Sequence, residues 1–484
     1  MNEPLIFDLS SPGRTGVSLP KLDVPESEIP ADWVRDDLWL PEVAEVDVVR
    51  HYVRLSQMNY GVDIGFYPLG SCTMKYNPKV NDAAAGLPGF AQIHPLQNPN
   101  TAQGALELMY GLQRFFAEIG GFSAVTLQPA AGAQGELTGI LVMRAFLHDR
   151  GDKERTRILV PDSAHGTNPA TTTMAGLEVI QIPSEPRGNI DLKTLKAHLD
   201  HTVVGLMLTN PNTLGLFDEH LLEITGMVHE AGGLVYGDGA NLNAILGICQ
   251  PGKMGFDVMH FNLHKTFSTP HGGGGPGACA VGAVEPLAAY LPGPIVALKE
   301  EQEKRKFSWQ MPERSIGRVK SFWGNFGMLV RAYTYIRMLG AAGLRAVAEN
   351  AVLNANYLQA RLKQLYPIPY GHRTCMHEFV AKGTIEGAPD IRALDIAKRL
   401  MDYGFHPPTN YFPLIVPEAL MIEPTETESK ERLDSFIEAM AGIAEEGRIN
   451  PELLHAAPHK APCRRLDEVK AARELKLSAK KPLY

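Results

Sequence analysis

The sequence predicts an α/β protein: a mostly parallel sheet flanked by helices, a smaller C-terminal α+β domain and an extended N-terminal segment. Three observations carry this. Between residues 122 and 285 short apolar runs alternate with helix-length stretches, the pattern of a parallel sheet covered on both faces. Past Pro286 the chain turns helix-rich. The first 40 residues carry Pro4, Pro12, Pro20, Pro25 and Pro30, a density that prevents helix and favours an extended strap.

In chain order, residues 1–60 are expected to form an arm and a short helix over 43–58. The arm is disordered or wraps a neighbouring subunit; Leu5, Ile6, Phe7 and Trp33, costly to leave in water, favour wrapping. Residues 61–300 are assigned to a large α/β domain. It opens with the polar loop YPLGSCTMKYNP (67–78), of a composition that lines sites or merely caps a turn. A helix over 101–119 is expected next, capped by Thr101. Strands are expected at 123–127, 157–160, 178–182, 203–209, 234–238 and 258–261, with helices at 137–149, from 170 and over 220–231. Residues 301–460 are assigned to the smaller domain: helices over 321–365, a strand at 378–380 and a helix over 390–404. The tail from 461 is basic, with eight Lys/Arg against three Asp/Glu between residues 460 and 481. Such a tail is solvated surface or docks an acidic partner.

Composition narrows the function. The 484 residues suffice for two or three domains and a sizeable core. Hydrophobic residues at 44% and charged residues at 21% are ordinary for a soluble globular chain. No apolar run nears the roughly 20 residues of a membrane span, and no signal pattern opens the chain, so a cytoplasmic location is expected. Five scattered cysteines without CxxC spacing suggest neither a disulfide framework nor a metal site. A net charge of −8 speaks against nucleic acid.

Four groups at expected strand ends carry chemistry. Ala131-Gly132-Ala133-Gln134-Gly135-Glu136 before a helix is an ordinary tight turn or a phosphate cradle of bare N–H groups. His165, in SAHGTNP after RILVP, is a structural histidine or one that stacks on a cofactor ring. Asp238, after LVYG, caps the following turn or pairs with a protonated pyridine nitrogen, with the small Ala240 leaving room for the ring. Lys265, in FNLHKTFSTPHGGGGPG, can form an imine with an aldehyde once burial lowers its pKa. A phosphate turn, a stacking histidine, a carboxylate and an imine-forming lysine in this order describe a site for pyridoxal 5'-phosphate.

The segments GSCTMK, AGAQGE, SAHGTNP, DGANLNA and NLHKTFSTPHGGGGPG, with the tail APHKAPCRRLDEVKAAR, resemble the P-protein of the glycine cleavage system nearly end to end. The chain resembles the C-terminal half of the long form, that is, the second subunit of the split form. Leu242 stands where many relatives carry methionine, a swap of similar volume. The resemblance implies a type I pyridoxal-phosphate (aminotransferase-like) fold and decarboxylation of glycine with transfer of the aminomethyl group to lipoylated H-protein. It also implies a homologous glycine dehydrogenase subunit 1 in an α2β2-type assembly. Lys265, His165 and Asp238 are then the catalytic residues. Ala240, Gly132, Ala133, Gln134 and Thr209 join them around the cofactor, while Ser71, Cys72, Thr73 and His264 face the substrate. Lys265, His264 and His271 are all candidates to move protons. The competing expectations are another enzyme of that fold, an aminotransferase or cysteine desulfurase, and a non-catalytic scaffold half.

Overall fold

The computed structural model describes residues 3–35, 38–271, 277–301 and 304–475. The glycine run 272–275 and the end of the basic tail, on which two expectations rest, lie outside the described residues.

Among the described residues a seven-stranded sheet forms the centre. Its strands are β1 (Ala124–Thr126), β2 (Arg157–Pro161), β3 (Glu178–Ile182), β4 (Val203–Thr209), β5 (Leu234–Asp238), β6 (Val258–Asn262) and β7 (Cys279–Ala283). They lie in the order β1-β7-β6-β5-β4-β2-β3. β7 runs antiparallel to β6 and β1, while β6, β5, β4, β2 and β3 pair parallel. Every residue of β4, β5 and β6 is buried, which is why these strands read as continuous apolar runs. β7, five small residues of modest strand propensity, has no such signature; burial and antiparallel pairing hold it extended.

The helix Gly132–Asp149 begins five residues before the expected 137. Gly132, Gly135 and Gly139 lie along one helix face, turned to the sheet. A Cβ at Gly139 would lie 2.2 Å from the Tyr236 ring and one at Gly135 2.5 Å from Cys279 Sγ. Close packing thus overrides the low helix propensity of glycine. The expected cap at Thr101 is corrected: the helix Gln103–Gly120 starts after Ala102, which makes no side-chain cap. Thr101 instead closes a 3-10 turn, its hydroxyl donating to the Asn98 carbonyl at 2.8 Å. The helix expected from 170 runs Thr167–Met174.

A hairpin of β8 (Ile295–Glu301) and β9 (Lys304–Gln310) follows the central sheet. A second sheet holds β10 (Phe379–Lys382), β11 (Thr409–Asn410) and β12 (Ala419–Ile422), all antiparallel, in the order β10-β12-β11. Helices Ala393–Asp402 and Lys430–Ile449 share its core. The long helix Phe326–Leu362 breaks at Gly340 (φ 62°, ψ −176°). Leu329, Ala332 and Ile336 before the break pack in the core of the central sheet; Ala355, Leu358 and Leu362 beyond it pack with β10 and β12.

The N-terminal arm makes two short 3-10 turns and meets the helix Glu45–Gln57. Glu3 receives Arg54 at 2.7 Å and lies 3.1 Å from His51. Leu19 and Trp33 of the arm are 83% and 77% exposed, apolar surface that none of the described residues covers. No helix among the described residues is long and apolar enough to cross a membrane.

Candidate active site

The carboxyl ends of β2, β5 and β6 open onto one cleft of about 490 Å³. Gly132, Ala133, His165, Asp238, Ala240, His264 and Lys265 all line it. In parallel α/β sheets this end is where loops leave enough room for a ligand.

Asp238 ends β5 and is buried at the cleft floor. Its Oδ2 lies 2.9 Å from His165 Nδ1 and accepts from Asn168 Nδ2 at 3.1 Å; its Oδ1 accepts the Ala240 N–H at 2.9 Å. Burial works to raise its pKa, but attraction to His165, His260 and Lys265 and the His165 hydrogen bond outweigh it. The carboxyl therefore sits well below the ordinary carboxylate range. Capping and charge coexist here, since the Ala240 bond also opens the 3-10 turn Gly239–Ala244. His165 meets Asp238 edge-on, and its Nε2 bonds Ser71 Oγ. His260, on β6, lies 3.4 Å from Asp238 Oδ1 and is driven down to about 4 by burial, so it is neutral at neutral pH.

Lys265 follows β6 in a turn, its N–H donating to the Asn262 carbonyl at 3.3 Å. Its Nζ has no hydrogen-bond or ion-pair partner among the described residues. Burial, His271 and the Lys265 charge hold His264 down to about 3, and burial lowers His271 as well. Both neutral rings stand edge to face, 5.0 Å apart.

The first-turn N–H groups of the helix Gly132–Asp149 have no acceptor within the helix, and Ala131 supplies no cap. A Cβ at Gly132 would meet Asn262 Oδ1 at 2.6 Å, so only glycine lets the helix end approach β6. Gln134 turns its side chain to the backbone, accepting from Ala130 N at 2.7 Å and donating to the Val319 carbonyl at 2.6 Å. Thr209 pairs with Asp238 across β4 and β5. The buried Thr209 Oγ1, Asn262 Oδ1 and His264 Nδ1 have no hydrogen-bond partner among the described residues.

The loop 67–78 joins the small sheet to this cleft. Gly70 N–H donates to the Met421 carbonyl at 3.2 Å, and Leu69 bridges Ile422. Ser71 meets His165, the Cys72 carbonyl accepts from His271 Nε2 at 2.6 Å, and Thr73 turns to Glu423. Burial pushes the Cys72 thiol up to about 11, with Lys265 opposing and Glu423 and Glu378 adding to it. Lys75 is buried against Glu426 at 2.7 Å and Asn243 at 2.7 Å.

Sequence reasoning missed Asn168, His260, Glu136, Glu378 and Glu423. Glu136 accepts from Thr167, Asn168 and Thr171, and burial followed by Asp238 raises it to about 7. A signal existed for two of them: Glu378 precedes the apolar FVA of β10 and Glu423 follows the ALMI of β12.

A family model described as the C-terminal domain of glycine dehydrogenase matches residues 347–458. The chain is 59% identical over 474 residues to the probable glycine dehydrogenase (decarboxylating) subunit 2 of Caldanaerobacter subterraneus subsp. tengcongensis, with 97% of each chain covered. It is 57% identical to the protein of that name from Desulforamulus reducens, with 98% of each covered. Among solved structures it is similar to a glycine decarboxylase (P-protein) in inhibitor-bound form, at TM-score 0.73 and 23% identity, over 86% of this chain and 93% of that one. It is also similar to a cysteine desulfurase from Thermococcus onnurineus NA1, at TM-score 0.60 and 16% identity, over 79% and 95%. The structural likenesses show the fold, the type I pyridoxal-phosphate fold. The near-complete relatives show more: the chain belongs to the family of glycine dehydrogenase (decarboxylating) subunit 2.

Proposed function

We propose that this chain is the pyridoxal-phosphate-bearing subunit of a glycine decarboxylase in the glycine cleavage system. The observation that carries the reading is one cleft: an unpaired lysine, a buried anionic aspartate and an uncapped helix end face it together. The donor set fits the cofactor. The bare N–H groups of Gly132 and Ala133 suit a phosphate, and the orphaned Thr209, Asn262 and His264 atoms are polar groups awaiting a partner.

When bound, pyridoxal phosphate supplies an aldehyde that condenses with amines and a ring that takes up the electrons left by decarboxylation. Lys265 is the amine that would hold it in the cleft. Asp238, anionic and fixed by His165, Asn168 and Ala240, would favour the protonated form of a pyridine nitrogen bound beside it. His165 and Ala240 line the space that would take the ring. Ser71, Cys72 and Thr73 close the substrate side. Glycine loses its carboxyl carbon as carbon dioxide. The aminomethyl group bonds one sulfur of a lipoyl disulfide on H-protein, and the other sulfur becomes a thiol. A homologous subunit 1 completes the assembly, in the cytoplasm.

The test is the full chain with subunit 1, lipoylated H-protein and labelled bicarbonate. Label enters glycine, and borohydride fixes the cofactor to the peptide carrying Lys265. Lys265→Ala abolishes exchange. A borohydride tag on another lysine, or exchange by the Lys265→Ala protein, overturns the assignment.

A further inference from the structure

Two glutamates at the end of the small sheet hold the loop beside the cleft, and the reaction outlined above uses neither. Phe379 and Ile422 pair across β10 and β12, so Glu378 and Glu423 form the next cross-strand step at the end of the sheet. They are 0% and 1% exposed. Adjacent buried carboxylates are costly unless each finds donors. Here one loop supplies most of them. Glu378 Oε2 accepts the Ser71 N–H at 2.7 Å. Glu423 Oε2 accepts the Thr73 N–H at 3.0 Å, and its Oε1 accepts the Thr73 hydroxyl at 2.6 Å.

Both loop residues carry positive φ, 65° at Ser71 and 49° at Thr73, a region side-chain-bearing residues avoid. The turn therefore needs an outside hold, and the two carboxylates grip its alternate N–H groups. Gripped in this way, Ser71 presents Oγ to His165 Nε2, while His165 Nδ1 rests on Asp238. A continuous chain of contacts runs from the small sheet to the cleft floor.

We propose that Glu378 and Glu423 are positioning residues: as paired acceptors they hold the turn 71–73 in its left-handed conformation and so keep Ser71 against His165. The proposal rests on the reading of the Asp238 cleft as the active site. Ligand atoms of His377, Glu378 and Glu423 lie within 4.8 Å of one another, a spacing open to a metal ion. Three of the four carboxylate oxygens, however, already accept loop donors, and Glu378 Oε1 faces Asn241 Nδ2 at 3.3 Å. The groups facing the pair are Lys265, Lys75 and the His377 ring, which burial drives down to about 3. Burial first, then Glu423, raises the Glu378 pKa, so an amide at 378 resembles the protonated acid. The unpartnered Asn241 Oδ1 can receive that amide's N–H.

Hydrogen exchange on the cofactor-free full chain tests the grip directly. Glu378→Ala and Glu423→Ala speed exchange at the Ser71 and Thr73 amides about tenfold, the loss of one hydrogen bond, while Glu378→Gln stays near wild type. Should either alanine variant fail to fold, Thr73→Ala removes the hydroxyl donor to Glu423 and speeds exchange at residue 73. In the loaded assembly, the alanine variants and Ser71→Ala lower kcat about tenfold with KM for glycine little changed, and Ser71→Ala adds nothing to Glu378→Ala. Unchanged exchange at both amides in the folded variants overturns the proposal. So does a stoichiometric metal in the purified wild type whose chelation reproduces the exchange change. If the wild type shows no borohydride link at Lys265, the active-site reading fails, while hydrogen exchange still decides the grip.

Discussion

Asp238 is anionic only because its neighbours outweigh its burial, so its charge is the site's most exposed point. Asp238→Asn keeps the shape and the Ala240 contact but removes the anion that holds a ring nitrogen protonated. Label exchange from bicarbonate into glycine falls about a hundredfold or more, with the far-ultraviolet circular dichroism unchanged. Asp238, His165, Lys265 and Gly132 were legible because each stands at or just after an apolar run that becomes a strand, or opens the helix after one. Glu378 was not. Its place before the apolar FVA marked a strand end only; its partner Ser71 is 307 residues away, and no local pattern names that donor. The edge-on contact of His165 with Asp238 was equally hidden, since a ring's orientation is set by neighbours on other strands.

At the level of elements, the helix Gly132–Asp149 joins two constraints that its sequence shows only as small residues. Gly139→Ala drives a methyl into the Tyr236 ring and costs about 1–3 kcal/mol, read from urea unfolding. The same helix carries Glu136, whose pKa is raised from 4.5 to about 7. A carboxyl raised on folding favours the protonated native state. Its contribution is complete below pH 4.5 and fades as pH climbs through about 7. Glu136→Gln therefore melts higher than wild type at pH 8, by roughly 1–3 kcal/mol, and equals it at pH 4. Strands β4 and β5 were legible residue for residue because their burial is continuous, and β3, only partly buried, was legible from the strand–helix alternation around it. β7 was not, for it is a run of small side chains whose extended form comes from its neighbours.

Across the whole molecule, the proline-rich arm leaves Leu19 and Trp33 exposed, whereas Glu3 ties its start to Arg54. Removing residues 1–35 lowers the mass seen by light scattering when subunit 1 is added, while the thermal transition of the chain alone shifts by only a few degrees. Unchanged association excludes the arm from the interface. The helix Phe326–Leu362 has a different consequence. Leu329, Ala332 and Ile336 before Gly340 and Leu344, Val347 and Ala348 beyond it pack in the central sheet's core, while Ala355, Leu358 and Leu362 pack in the small sheet's core. Neither core can melt without pulling a shared rod loose, so heat should disrupt both in a single calorimetric peak whose van't Hoff and calorimetric enthalpies agree. Gly340 holds a φ of 62° and ψ of −176°, a conformation only glycine adopts without strain. Gly340→Ala strains the break, and because the segment beyond it still joins both cores, the single peak moves to lower temperature without dividing.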